Sequence, residues 1–298
     1  MHKEVMHFMN KINPGFIYLA AAASIWGGLY VVSKYVLDIV PPFTLLFLRY
    51  LIAFAVLAAV CRYQNISLIP RNNKWTLIQI GLLGYFCSIA FQFLGTKYSS
   101  AHMGAVITTL SPVFQSGFAI LLLHEPITPR QIVSISLSFA GVLIINGLSG
   151  FSEAGGIQLG AIFLLLAALF WGYYSVLSKK ISTQYSALQI TTIGILIAAI
   201  ASFPAALLEA GTFDFTHLLA WPVLLCILYV AVVSTAVAFL FWNKGLALVP
   251  SHQSGLFFFF QPLVGSFLGW AILGEHLTAS FYIGSLLILI AVYIIMKD

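Results

Sequence analysis

The chain has 298 residues, of which 61% are hydrophobic and 7% charged, with a formal net charge of +5. Soluble domains carry roughly a quarter charged residues, so a water-facing surface cannot be built from this composition, whereas a lipid-facing one can. The basic residues form no cluster suited to nucleic acid, and Cys61, Cys87 and Cys226 show neither disulfide-framework nor metal-ligand spacing.

In chain order, apolar runs predict ten membrane-crossing helices at about 16–36, 43–61, 75–95, 100–123, 130–147, 157–177, 187–207, 221–243, 251–273 and 279–296. The runs do not alternate as β-barrel strands do. Lys3 and Lys11 precede the first run, which could mimic a signal peptide, but nine further spans follow and it is read as a helix. Pro41-Pro42, Pro70, Pro126, Pro129, Gly150, Gly155-Gly156 and Gly211 punctuate the runs, and Thr128-Pro129 reads as an N-cap followed by a first-turn proline. Placing the N-terminus in the cytoplasm puts Lys3, Lys11, Arg62, Arg71, Lys74, Arg130, Lys179, Lys180, Lys244 and Lys297 inside. Only Lys34 and Lys97 then fall near outer ends, as the positive-inside rule expects, and both termini are cytoplasmic.

The chain repeats itself. Trp26-Gly27 and Ser33-Lys34 recur 145 positions later as Trp171-Gly172 and Ser178-Lys179. At an offset of 150, Gly95, His102, Pro112, Glu125 and Thr128 meet Gly245, His252, Pro262, Glu275 and Thr278. The expected units, 14–148 and 156–297, hold five spans each. An odd count inverts the second unit, an arrangement found in secondary transporters with a site between the halves.

These motifs resemble the drug/metabolite transporter superfamily, specifically its EamA-type ten-helix members. The resemblance is carried by Trp26-Gly27 with Ser33-Lys34, Pro42, Leu48-Arg49-Tyr50, the segment 94–101 (LGTKYSSA), Leu110-Ser111-Pro112 and Glu125-Pro126-Ile127-Thr128. The second half adds Trp171-Gly172, the segment 241–250 (FWNKGLALVP), Gln261-Pro262 and Gly274-Glu275 with Thr278. It implies two repeats around a central cavity and transport of metabolites or amino acids, often outward. The chain departs from the family pattern at Gln261, often Glu or Ser there, and at His124, where glycine is usual.

Trp26, Tyr30 and Ser33 share one helix face, as do Trp171, Ser175 and Ser178, so two aromatic walls of a pocket are expected, although interhelical packing explains the same spacing. Tyr174 and Trp242 join this aromatic set, and Gln92 and Gln261 are the favoured amide donors, since an amide facing lipid is costly. Pro112 and Pro262 lie mid-span and free the carbonyls of Thr108 and Phe258, giving either a gate or a static kink. His102 and His252 begin spans four and nine and are candidate titrating groups, or plain helix-end residues. Arg49, about seven residues into its span, is expected to snorkel outward or to bond backbone carbonyls as an anchor. Lys34 and Asp38 read as a structural pair.

No Asp or Glu lies deep in a span, which argues against a carboxylate relay and leaves facilitated diffusion, exchange or coupling through histidine. The leading reading is a carrier for small amphipathic metabolites that needs no cofactor or metal. Its partners are a small-molecule substrate and the lipid bilayer, and either a monomer or a homodimer is compatible. A channel is the alternative, but pores more often assemble from subunit rings, and the internal two-fold in a single chain argues otherwise. A membrane enzyme lacks its constellation here: no HExxH, acidic cluster or phosphate loop is present.

Overall fold

The computed structural model of the chain describes residues 13–98, 107–146, 159–211, 213–273 and 279–296, and these hold helices and turns with no strand. The helices are α1 (Pro14–Leu37), α2 (Pro42–Tyr63), α3 (Lys74–Tyr98), α4 (Ser111–Leu123), α5 (Pro129–Asn146), α6 (Leu159–Ile181), α7 (Ala187–Ala210), α8 (Trp221–Leu248), α9 (251–273) and α10 (Ala279–Met296). Among the described residues α2, α3, α6, α7, α8 and α10 are long and apolar enough to cross a membrane, and the other four contribute shorter apolar helices. Large apolar side chains such as Leu51, Ile200, Leu207, Leu286 and Leu289 point outward, which hydrocarbon tolerates and water does not.

Local sequence sets where these helices start. Asn13 accepts from Gly15 N at 2.9 Å with Pro14 in the first turn of α1, and Thr128 Oγ1 accepts from Gln131 N at 3.1 Å ahead of Pro129, the cap that the spacing predicts. Ser186 and Gln189 form a reciprocal capping box on α7. The start of α2 has no side-chain cap of its own. Glu209, at the far end of α7, supplies one by accepting from Phe43 N (3.2 Å), Thr44 N (2.7 Å) and Thr44 Oγ1 (2.9 Å).

The packing has a two-fold pattern. α1 lies against α8 and α9, and its counterpart α6 lies against α3 and α4; α2 pairs with α7, and α5 with α10. Equivalent residues make equivalent contacts: Gly245 sits on Leu19 and Gly15, and Gly95 sits on Leu164 and Gly160. Glycine is required at the crossings nearest the centre. A Cβ on Gly27 would lie 2.8 Å from the Gln261 carbonyl oxygen, and one on Gly172 would lie 2.7 Å from the Gln115 backbone nitrogen.

The counterparts α2 and α7 run antiparallel. Thr44 at the start of α2 meets Glu209 at the end of α7, and Cys61 at the end of α2 meets Thr192 at the start of α7. The pseudo-two-fold axis therefore crosses the helices rather than following them, and the two five-helix halves are inverted.

Two ends of the bundle can be named. The basal end gathers the start of α1 (Asn13 to Leu248 O, 3.0 Å), Lys179 against the carbonyls of Ala247 and Val249, Tyr185 against Asn72, and Glu125 against Ser251. The apical end carries the turn between α1 and α2 and the Glu209 clamp.

α3 and α8 each contain a wider π-helical stretch, Ile80–Cys87 and Tyr229–Val237, at corresponding places in the two halves. Gly81 and Gly84 let the first stretch approach Ile197 and Tyr174. In the second, Thr235 Oγ1 donates to the carbonyl of Val230, five residues back, at 2.6 Å. Neither stretch has a signature in the hydropathy pattern.

The proline expectation is corrected in its detail. α4 restarts at Ser111 after a turn, so Pro112 occupies a helix start, where no donor is needed, and Ser111 Oγ takes the Thr108 carbonyl at 2.7 Å. Before Pro262 the chain tightens into a 3₁₀ stretch, Gly255–Phe259, and the Phe260 N–H reaches the carbonyls of Phe257 and Phe258. Neither carbonyl is left free.

Candidate substrate chamber between the two halves

α1 and α6 cross at mid-bundle, and their tryptophans meet there. The rings of Trp26 and Trp171 lie 5.1 Å apart, edge to face, packed on Phe239, Phe258 and Trp242. On the apical side of this pair lies a small, partly open chamber. Its lining includes Trp26, Trp171, Arg49, Gln92, Gln261 and Ser111.

The basal half is filled instead. Asn243 uses all of its hydrogen-bonding capacity: Oδ1 accepts from Tyr174 Oη (2.9 Å) and Ser178 Oγ (2.5 Å), and Nδ2 donates to Tyr85 Oη and Thr191 Oγ1, both at 2.8 Å. The Tyr85 and Tyr174 hydroxyls are 3.2 Å apart, and Tyr50 Oη donates to the Tyr85 carbonyl at 2.6 Å. One amide thus joins α3, α6, α7 and α8, with Tyr50 adding α2. All of these side chains are buried.

The sequence-derived residues divide accordingly. Trp26, Trp171, Gln92 and Gln261 meet on the chamber wall. Trp242 lies beneath it, with Nε1 at 3.4 Å from Ser175 Oγ, and Tyr174 belongs to the basal network; neither lines the chamber. Pro112 and Pro262 are buried at helix breaks. The side chains of Tyr30, Lys34 and His252, and all of His102, Glu275 and Thr278, fall outside the described residues. Asp38 is exposed.

Arg49 overturns its expectation. It does not snorkel and bonds no backbone carbonyl: it is fully buried, its Nε donates to Thr235 Oγ1 at 2.8 Å, and it lines the chamber. The rings of Tyr50, Phe93 and Phe239 lie 5.3–5.8 Å from the guanidinium centre. Tyr85 and Thr235 carry no signal in the sequence, since each is one polar group in an apolar run.

A family model described as the EamA-like transporter family matches residues 13–147 and again 158–297. The chain belongs to the EamA-like transporter family. As an EamA protein it is a helical membrane transporter of the drug/metabolite type. It is 28% identical over 275 residues to the uncharacterized transporter YetK of Bacillus subtilis (strain 168), covering 90% of this chain and 82% of that protein. It is 29% identical over 283 residues to a protein of Escherichia coli (strain K12) named probable amino-acid metabolite efflux pump, covering 91% and 90% of the two chains. A crystal structure of 20% sequence identity shares the fold, with a TM-score of 0.76 over 94% of this chain and 95% of that one. Two matches of one family model on one chain are what the duplicated Trp-Gly motif leads to.

Proposed function

We propose that this EamA protein is a secondary carrier that moves small amphipathic metabolites, amino acids or related compounds, outward across the cell membrane by alternating access. Its repeats are residues 14–148 and 156–297, with both termini cytoplasmic. The observation that carries the reading is the off-centre chamber: two inverted halves meet at Trp26 and Trp171, with space on the apical side and a hydrogen-bonded plug on the basal side. Inverted halves admit a second packing in which filled and empty sides exchange. Trp26, Trp171, Gln92 and Gln261 hold the substrate, the indoles against its apolar part and the amides on its polar groups. The apical side is extracellular in this reading, because Lys179, Lys244 and Arg130 then lie inside.

Proteoliposomes preloaded with unlabelled amino acids test the proposal. Counterflow of labelled amino acid that saturates with concentration is the expected result. Flux that stays linear, with no trans-stimulation, would favour a pore and sink the carrier.

A further inference from the structure

Arg49 poses an electrostatic problem. A guanidinium is charged at all relevant pH and carries five N–H donors. One donor, Nε, is used on Thr235, whereas Nη1 and Nη2 are buried without any hydrogen-bond partner. Among the described residues no carboxylate reaches it. An uncompensated buried cation is strongly destabilising, and aromatic faces offset only part of that. The chamber wall holds a second orphan: Trp171 Nε1 is buried with no partner, although its counterpart Trp26 Nε1 donates to the Ser234 carbonyl at 2.9 Å. Both unsatisfied groups are donors, and both are on the same chamber.

The inverted repeat shows that this is a departure from symmetry. α2 begins at Pro42 and α7 at Ala187, so the counterpart of Arg49 is Gly194. The counterpart of Thr235, at the offset of 150, is Tyr85. Spatial contacts agree: Arg49 meets Thr235, and a Cβ on Gly194 would lie 2.7 Å from the Tyr85 ring. In one half a glycine admits a tyrosine that fills the space. In the other an arginine stands over a threonine beside space left empty. The cation serves the chamber rather than helix packing, since the same crossing in the other half is made without one.

We propose that Arg49 is the seat of a substrate carboxylate, and that the chamber selects small carboxylic acids, free or zwitterionic, with an apolar or aromatic body. Nη1 and Nη2 offer the parallel pair of donors that a carboxylate matches. The apolar body lies on the indoles of Trp26 and Trp171. A zwitterion's ammonium has the side-chain carbonyls of Gln92 and Gln261 as acceptors. This assignment deepens the carrier reading and rests on it for the word substrate.

The test uses the full chain in detergent, followed by its tryptophan fluorescence, with three matched pairs of probes: L-phenylalanine, L-leucine and 3-phenylpropionate, each against its amide. In the wild type at least one acid should bind about 10-fold or more tighter than its amide. Arg49→Gln should weaken the acid by roughly 10- to 100-fold, leave the amide little changed and so erase the preference. Arg49→Lys, which keeps the charge but loses the fork, should fall between. Gel filtration and thermal midpoint report folding; the acid-amide comparison in the wild type needs no variant and stands if a variant misfolds. Equal affinities for acids and amides, no binding by any acid, or a folded Arg49→Gln with undiminished preference would each overturn the assignment. Flux separates the two readings. Acid binding at Arg49 without counterflow in liposomes removes the carrier and keeps the anion seat. Counterflow of amides as fast as acids keeps the carrier and removes the seat.

Discussion

Asn243→Ala removes the centre of the basal plug. Four hydrogen bonds end on this amide. Inside membranes such bonds are worth about 0.6 kcal/mol each, so the loss is about 2.4 kcal/mol, close to a 50-fold change in an equilibrium. Thr191 keeps its bond to the Ala187 carbonyl, and the Tyr85 and Tyr174 hydroxyls keep one another, so helix pairing survives the substitution. If the plug gates the chamber, those bonds are made in the basally closed arrangement and broken when the basal side opens. The population should then move toward the open arrangement. Ser175 is fully buried between Trp242 and the plug and gives a reporter position. With Cys61, Cys87 and Cys226 replaced by alanine, Ser175→Cys should react slowly with N-ethylmaleimide in the parent and faster, by a factor on the order of 10 to 50, after Asn243→Ala. A lower thermal midpoint with an unchanged labelling rate would rule gating out: the network would then hold the fold together without controlling access.

Three further outcomes follow from the geometry. Gly172→Ala and Gly27→Ala each drive a methyl onto backbone atoms at 2.7–2.8 Å, and both should yield little folded protein by fluorescence-detected gel filtration. Trp26→Phe loses a buried hydrogen bond to the Ser234 carbonyl, whereas Trp171→Phe removes a donor that has no partner. The first should lower stability by about 1 kcal/mol more than the second in matched unfolding experiments. His124 adopts φ 56°, a left-handed conformation in which glycine is unstrained, so His124→Gly should raise the thermal midpoint by ~1–3 °C.

The amino-acid pattern made the architecture legible because hydrocarbon imposes a length on every span and duplication repeats the exceptions. Trp26 and Trp171 could be singled out from residues alone, as two indoles at matching positions in inverted halves. Gln92 and Gln261 were legible from the cost of an amide facing lipid. Other parts of the site depended on partners that spacing does not reveal. The depth of Arg49 along α2 was readable, but its direction was not. That direction is set by Thr235 on α8, some 186 residues away, and by a ring on each of α2, α3 and α8. Tyr85 was invisible for the same reason, since its place was made by a glycine, Gly194, on another helix. The family's glycine before Glu125 also gained a reason, because His124 holds the left-handed turn that glycine favours there.

The π-helical stretch Ile80–Cys87 sets the phase of everything after it. Ser88 and Gln92 reach the chamber wall because extra residues have been wound into the turns before them. Deleting one residue between 80 and 87 without relaxing the wide pitch would swing 88–98 about the helix axis. Gln92 would then turn away from the cavity, and Ser88 would release the Ala167 carbonyl that it now holds at 2.9 Å. A single-codon deletion that moves side chains without changing any of their identities thus becomes a ruler for the site, sensitive to the angle at which a residue is presented rather than to its chemistry.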